Sequence, residues 1–220
     1  MTDVARKPGR PKDPDLRSRR EAEILAVAAE LFAELGFANA QIQTIAERLK
    51  LSHGTIYSYF ETKEKLFLAA VERGLADLTA IMDAVFASGE SPLVQLRKAI
   101  RAYLQFFHDR PEMAELFIQE RAAFPHHHRP LYFSNKDDKE CAKHDDFFRR
   151  MNEAGILRPI PQERLMAVIA DLLYGTILTN LLSGRPVDVE TQAADVFDVI
   201  GLGILSDAER KRHTRKKVPR

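Results

Sequence analysis

Apolar positions recur three and four residues apart along most of the chain. Ile24, Ala28, Leu31, Phe32 and Leu35 form the first such stripe, the spacing of a helix face turned to a core. Ser18 and Glu21 precede it at the capping-box interval, and Gly36 stands where a helix C-terminus takes a left-handed residue. A second short helix carries Ile42, Ile45, Ala46 and Leu49. A third covers about residues 53–60, with Ser52 as its N-cap and Leu51 and Ile56 at hydrophobic-staple spacing. Thr62 caps a fourth, longer helix bearing Leu66, Ala70, Leu75, Leu78, Met82 and Val85.

Beyond a break at residues 88–92 the same period continues. It predicts helices over Leu93–Phe107, residues 112–124, 136–154, 161–183 and 189–207, with a loop at 125–135. No stretch alternates strictly with period two, and no internal repeat is visible. The pattern therefore predicts an all-α protein, three short N-terminal helices leading into a larger helical body. Residues 165–182 approach membrane length, yet Asp171 near their middle makes a bilayer costly. They are read as a buried helix of a soluble assembly, with no membrane partner.

Charge changes this picture at the ends. Overall, 33 Lys+Arg stand against 32 Asp+Glu, a net of +1, which excludes a protein acting by bulk basicity. Residues 1–20, however, carry seven basic and three acidic side chains, and residues 210–220 seven basic and none acidic. The body between is acidic, so an anionic partner near the ends is expected. Pro8, Gly9, Pro11 and Pro14 make residues 1–16 an extended arm. The single cysteine, Cys141, excludes an internal disulfide, and no apolar core of a secretory signal is visible at the start.

The third helix concentrates polar chemistry. His53, Thr55, Tyr57, Ser58 and Tyr59 are placed to present donors outward while Ile56 and Phe60 point inward. A short helix of this kind behind a tight turn at residues 49–52 fits either a surface helix of an all-α domain or the recognition helix of a helix-turn-helix. In the second case hydroxyls suit phosphate oxygens, while His and Ser suit base edges.

The stretch QTIAERLKLSHGTIYSYFETKEKL, residues 43–66, resembles the helix-turn-helix of the tetracycline-repressor-like (TetR/AcrR) family of bacterial transcription regulators, above all in Gly54-Thr55-Ile56-Tyr57, Tyr59-Phe60, Lys63 and Leu66. The resemblance spans about residues 20–67. It implies a basic arm (1–19), a DNA-binding domain (20–67), a ligand-binding and dimerisation domain (68–209) and a basic tail (210–220). Ser52, His53, Gly54 and Thr55 would open the recognition helix, Tyr57 and Tyr59 would touch phosphates, and Ser58 would lie near base edges. Gln43 would reach the backbone or a base, and Lys63 would pair with a phosphate. Two departures stand out: Asn39 takes the place of the usual Thr cap near Ala40, and Lys50 occupies a turn position usually held by Gly, so strain at Lys50 or a different turn is expected.

The arm contains Lys7-Pro8-Gly9-Arg10-Pro11-Lys12, a partial AT-hook, with Arg10 expected in an A·T-rich minor groove. The basic tail is read as a solvated, disordered segment or a second nonspecific DNA contact. In the body, the resemblance implies that Tyr103, Phe106, Phe107, Phe117, Phe147 and Tyr174 line a cavity for a small apolar or amphipathic effector, although each aromatic taken singly reads as core packing. Leu165, Ile169, Leu172, Leu173, Ile177, Leu181, Phe197 and Ile200 are expected to form a homodimer interface, the alternative being that they are intramolecular core. Cys141, His144 and the loop His126–His128 are metal-compatible types, but their order matches no finger spacing, and no metal or other cofactor is expected. The expected function is a non-enzymatic cytoplasmic, nucleoid-associated bacterial regulator. It would be a repressor released from a palindromic double-stranded operator by its effector, or otherwise a DNA-bound scaffold of the same fold.

Overall fold

The computed structural model describes residues 14–125, 131, 138–184 and 186–217. Among them ten helices follow one another: α1 Pro14–Asn39, α2 Ile42–Arg48, α3 His53–Tyr59, α4 Lys63–Phe86, α5 Pro92–Asp109, α6 Pro111–Ala123, α7 Asp138–Glu153, α8 Gln162–Ser183, α9 Val189–Ile204 and α10 Asp207–Lys217. Outside the helices the described residues hold one isolated antiparallel bridge, Leu157 with Leu205. The protein is all-α. Two compact units divide at Ala70/Val71, within α4.

In the first unit the stripes read from sequence become the core. Ile24, Ala28, Leu31, Phe32, Ile45, Ala46, Ile56, Leu66 and Phe67 are buried, each large one contributing about 1.5–3 kcal/mol of transfer free energy. Phe32, Phe37 and Phe67 meet pairwise with ring centroids 5.1–5.9 Å apart. Gly36 interrupts α1 at φ 77, ψ 154, as its position as a stop predicts.

The start of α1 is a correction. The helix begins at Pro14, inside the stretch expected to be an extended arm, and Ser18 lies within it rather than capping it. Proline's fixed φ suits a first helical turn, and Asp15 there complements the positive helix end. Arg10 and the rest of residues 1–13 lie outside the described residues.

In the second unit α5 and α9 form the most extensive pairing. They run antiparallel: Arg101 pairs with Glu190, and the Arg97 guanidinium lies 4.4 Å from the Phe197 ring centre. Gln95 is buried and closes the α4–α5 turn, its amide donating to the Phe86 carbonyl at 2.9 Å. At Gly74, α4 and α6 approach so closely that a Cβ would fall 2.1 Å from Cε of buried Met113. Helix α8 packs on α5, α6 and α7. It is the one described helix long and apolar enough to cross a membrane by length and composition, and little of that stretch is buried within the chain.

Two further expectations need correcting here. The basic tail is helical to Lys217: Ser206 Oγ accepts from the Glu209 amide at 3.3 Å, and Arg210 pairs with Asp207 and Arg212 with Glu209. Acidic residues in the first turn and basic ones beyond suit the helix dipole. Of the residues expected at the dimer face, Leu165, Leu173, Ile177, Phe197 and Ile200 are buried in the chain's own core. Ile169, Leu172 and Leu181 keep some exposure. The exposed large apolar residues of α8 and α9 are Val168, Leu182, Val199 and, from the expected set, Leu172. An almost wholly apolar helix hides which of its sides meets its own core.

Candidate nucleic-acid interface

The turn between α2 and α3 is a Schellman motif. The Leu51 amide reaches back to the Ala46 carbonyl at 2.8 Å and the Lys50 amide to Glu47 at 3.1 Å. Such a closure requires a left-handed residue, and Lys50 supplies it at φ 54, the only non-glycine residue with positive φ among those described. The strain expected from the missing glycine is present; for a residue with a Cβ it costs roughly 1–2 kcal/mol.

Ser52 then caps α3. Its Oγ accepts from the Thr55 amide at 3.1 Å and shares a 2.8 Å bond with Thr55 Oγ1. Ile56 and, just past the helix, Phe60 are buried, anchoring α3 on the domain core. His53, Gly54, Tyr57 and Ser58 face outward and are exposed, whereas Thr55 and Tyr59 are partly covered. The His53 and Tyr57 rings meet edge-on at 4.8 Å, holding each other upright on the exposed face. Ser58 Oγ donates to the Thr55 carbonyl at 2.7 Å, leaving its oxygen lone pairs available. Gln43, exposed on α2, donates to Glu47 at 2.9 Å.

Gly54 carries information of another kind. A Cβ there would find only Ser52 Oγ, at 4.0 Å, and its φ lies outside the positive region. Neither packing nor backbone conformation within the chain requires glycine, although a helical glycine costs about 0.5–1 kcal/mol relative to alanine. The bare backbone at Gly54 is an open approach for something outside the chain.

Two expected residues are engaged inside the protein. Tyr59 lies under the Arg17 guanidinium, 4.9 Å from the ring centre. Lys63 donates to the carbonyls of Ala38 and Ala40, each at 3.1 Å, and sits 4.7 Å from the Phe37 ring centre. Asn39, expected to cap α2, instead donates back to the Leu35 carbonyl at 3.1 Å, finishing α1; α2 starts behind Gln41 without a side-chain cap. Once Gly36 breaks α1, the nearest acceptor for Asn39 lies behind it.

Sequence reading missed Arg17, which it placed in the arm, and the Arg48–Glu34 bridge at 2.6 Å between α2 and α1. The Arg48 hydrogen bond holds the Glu34 carboxyl below its ordinary pKa. The adjacent basic residues Arg17, Arg19 and Arg20 were the signal available for the first; the second spans two helices and had none.

The six expected effector residues all belong to the body. Tyr103, Phe106, Phe107, Phe117 and Phe147 are buried. Their rings meet in two groups: Tyr103, Phe106 and Phe117 each within 5.0–5.7 Å of Phe107, and Phe147 between Phe86 and Phe148. Tyr174 is partly covered; burial, and then the charge of Glu120, push its hydroxyl pKa up. Glu120 itself is buried on α6 and accepts from the Leu131 amide at 2.8 Å. No group of three metal-binding side chains occurs among the described residues. His126–His128, and the side chains of Cys141 and His144, lie outside them.

Comparison with known proteins gives this geometry a context. Residues 24–70 match the family described as bacterial regulatory proteins, tetR family. The HTH-type transcriptional regulator RutR of Escherichia coli is 29% identical over 106 residues, 48% of this chain and 50% of its own length. The HTH-type transcriptional activator FasR of Mycolicibacterium smegmatis is 29% identical over 110 residues, 50% of each chain. The chain thus spans about half the length of the curated relatives it matches. In three dimensions it shares the fold of the ketosteroid transcriptional regulator KstR2 of Mycobacterium tuberculosis, with TM-score 0.64 and 19% identity over 92% of this chain and 100% of that one.

Proposed function

We propose that this chain, whose residues 24–70 match the tetR family of bacterial regulatory proteins, is a DNA-binding transcriptional regulator, a homodimer that a small apolar or amphipathic effector releases from a palindromic operator. The observation that carries the DNA-binding part is α3. It is capped by Ser52, anchored by Ile56 and Phe60, and presents His53, Gly54, Tyr57 and Ser58 outward. A capped helix with one buried edge and a donor-rich face is shaped for a major groove.

Dimerisation draws on the outer faces of α8 and α9. Val168, Leu172, Leu182 and Val199 are exposed there, with Gly175 and Gly203 leaving room for close approach. Two copies present two recognition helices and match a two-fold operator.

For the effector, the supporting feature is the aromatic interior of the body with Tyr174 and Glu120 as its polar groups. Coupling of about 1–3 kcal/mol between effector and DNA suffices for a roughly 5- to 150-fold change in operator affinity. The tight seat of Met113 against Gly74 gives α6 a direct hold on α4. The named activator FasR leaves the sign of regulation to experiment. Selection of bound fragments from a bacterial genome tests the whole reading: enrichment of one palindrome, lost when a small molecule is added, is the expected result. Enrichment of nothing overturns it, and a palindrome insensitive to every small molecule tried favours the DNA-bound scaffold.

A further inference from the structure

We propose that the outer face of α8 and α9 selects its partner by charge: Arg164 of each copy faces Asp195 of a second copy, so that the chain pairs with itself in one antiparallel sense. This rests on the dimer reading above and adds to it the two residues that determine which surface is accepted.

A reciprocal amide pair sets the register of the two helices. Asn180 donates to Gln192 at 2.8 Å, and Gln192 donates back at 3.0 Å. Two grooves lie along the outer surface of this antiparallel pair. The first joins the start of α8 to the end of α9. It is lined by Val168, Val199 and Gly203, and its charged residues are Arg158 and Arg164. The second joins the end of α8 to the start of α9. Its charged residues are Asp171, Asp188 and Asp195. Leu172 lines both grooves. The face therefore runs from a basic end through an apolar middle to an acidic end.

Spacing relates the two ends. Arg164 precedes Val168 by four residues on α8, and Asp195 precedes Val199 by four on α9, about 6 Å in each case. The helices run in opposite directions, so these equal offsets point to opposite ends of the face. A two-fold axis lying across the helices at the apolar middle exchanges the ends. Arg164 of each copy then stands level with Asp195 of the other. An axis along the helices would instead set arginine level with arginine and aspartate level with aspartate, a like-charge cost. Apolar contact alone fits both arrangements, and charge separates them.

The body uses its other arginines internally: Arg101 pairs with Glu190, Arg149 with Glu153 and Arg210 with Asp207. Arg158, Arg164, Asp171 and Asp195 are exposed and make no ion pair among the described residues. Within the acidic groove, Asp188 is occupied in capping α9, where it accepts from the Thr191 hydroxyl and the Glu190 amide. Asp171 lies beside Leu172 in the middle of the face, too near the axis to meet Arg164. Asp195 is the carboxylate at the matching distance.

Charge exchange, read by sedimentation equilibrium of the whole chain, tests the pairing. Arg164→Glu and Asp195→Arg are each expected to weaken the homodimer about tenfold or more, because each creates two like-charge contacts across the axis. Helix content should be unchanged, since both side chains are exposed. Mixed in equal amounts, the two variants are expected to dimerise as tightly as the wild type. The introduced carboxylate then meets the introduced guanidinium, and the native arginine of one chain meets the native aspartate of the other. Added salt should weaken the wild-type and mixed dimers alike.

A homodimer of wild-type strength in either single variant overturns the proposal, as do weakened single variants that do not recover on mixing. If a single variant loses helix content, the neutral variants Arg164→Gln and Asp195→Asn decide. Effects that fail to add in the combined variant support a facing pair, and additive effects refute it. A wild-type chain that sediments as a monomer at every concentration overturns the dimer reading itself, and the pairing with it.

Discussion

Helices α3, of seven residues, and α9, of sixteen, each bury one edge, yet they differ in how their outer faces can be recognised. On α3 the inward residues are apolar and the outward ones polar, so the sides separate by chemistry alone. On the last turns of α9, residues 199–204, no polar side chain marks the outer side: Ile200 and, just before, Phe197 are buried in the body while Val199, between them, is 66% exposed. Polarity reveals which side of a helix faces out only when the outside is water or a nucleic acid. Where the outside is a second protein surface, the two faces look alike in sequence.

Substitutions on the two sides of α9 test that contrast most severely. Phe197→Ala empties a core position and is expected to destabilise the chain by about 3–5 kcal/mol in chemical denaturation. Val199→Lys, two residues away, should leave helix content unchanged while sedimentation shifts from two chains to one. A stable dimer of Val199→Lys would remove α9's outer face from the interface.

On α3 the matching experiment is Gly54→Ala. The fold has room for the methyl group, so stability should rise by about 0.5 kcal/mol in thermal unfolding. Operator affinity should fall roughly tenfold, the range of a single lost contact at a base pair. Opposite signs in the two assays separate a surface kept bare for a partner from one that is merely tolerated.

Next in size is Lys50→Gly, which relieves the left-handed strain at φ 54 and is expected to stabilise the chain by about 1 kcal/mol. Its measurement is the shift in denaturant midpoint at unchanged slope. The smallest effect concerns the Glu34–Arg48 bridge. The folded pKa of Glu34 is lowered by the Arg48 hydrogen bond. Its contribution is therefore fully present above the ordinary carboxylate value and is lost as pH falls through the lowered one. The gap in thermal midpoint between wild type and Glu34→Gln should be small at neutral pH and close in acid.

What could be read without coordinates followed the range of the forces involved. Gly36 as a stop, Ser52 and Thr62 as caps and strain at Lys50 are local, decided within a few residues, and each appears where the sequence places it. Asn39 caps the helix behind it, because once Gly36 breaks α1 the Leu35 carbonyl is its nearest acceptor. The start of α1 and the helical tail were hidden because proline and dense positive charge suggested extended chain. A first-turn proline and the Asp207 and Glu209 pairs are enough for a helix. Of the eight apolar residues expected at a dimer face, five are buried in the chain's own core, because an apolar stripe does not name its partner.

The account's central claim is that the exposed face of α3 reads duplex DNA in a two-fold assembly. Footprinting of the chain on its selected duplex tests it most directly, with the double variant His53→Ala, Tyr57→Ala beside the wild type. The account predicts two symmetric protected half-sites for the wild type. For the double variant it predicts protection lost or weakened by more than about tenfold, with helix content intact. A single asymmetric footprint, or equal protection by the double variant, would contradict it.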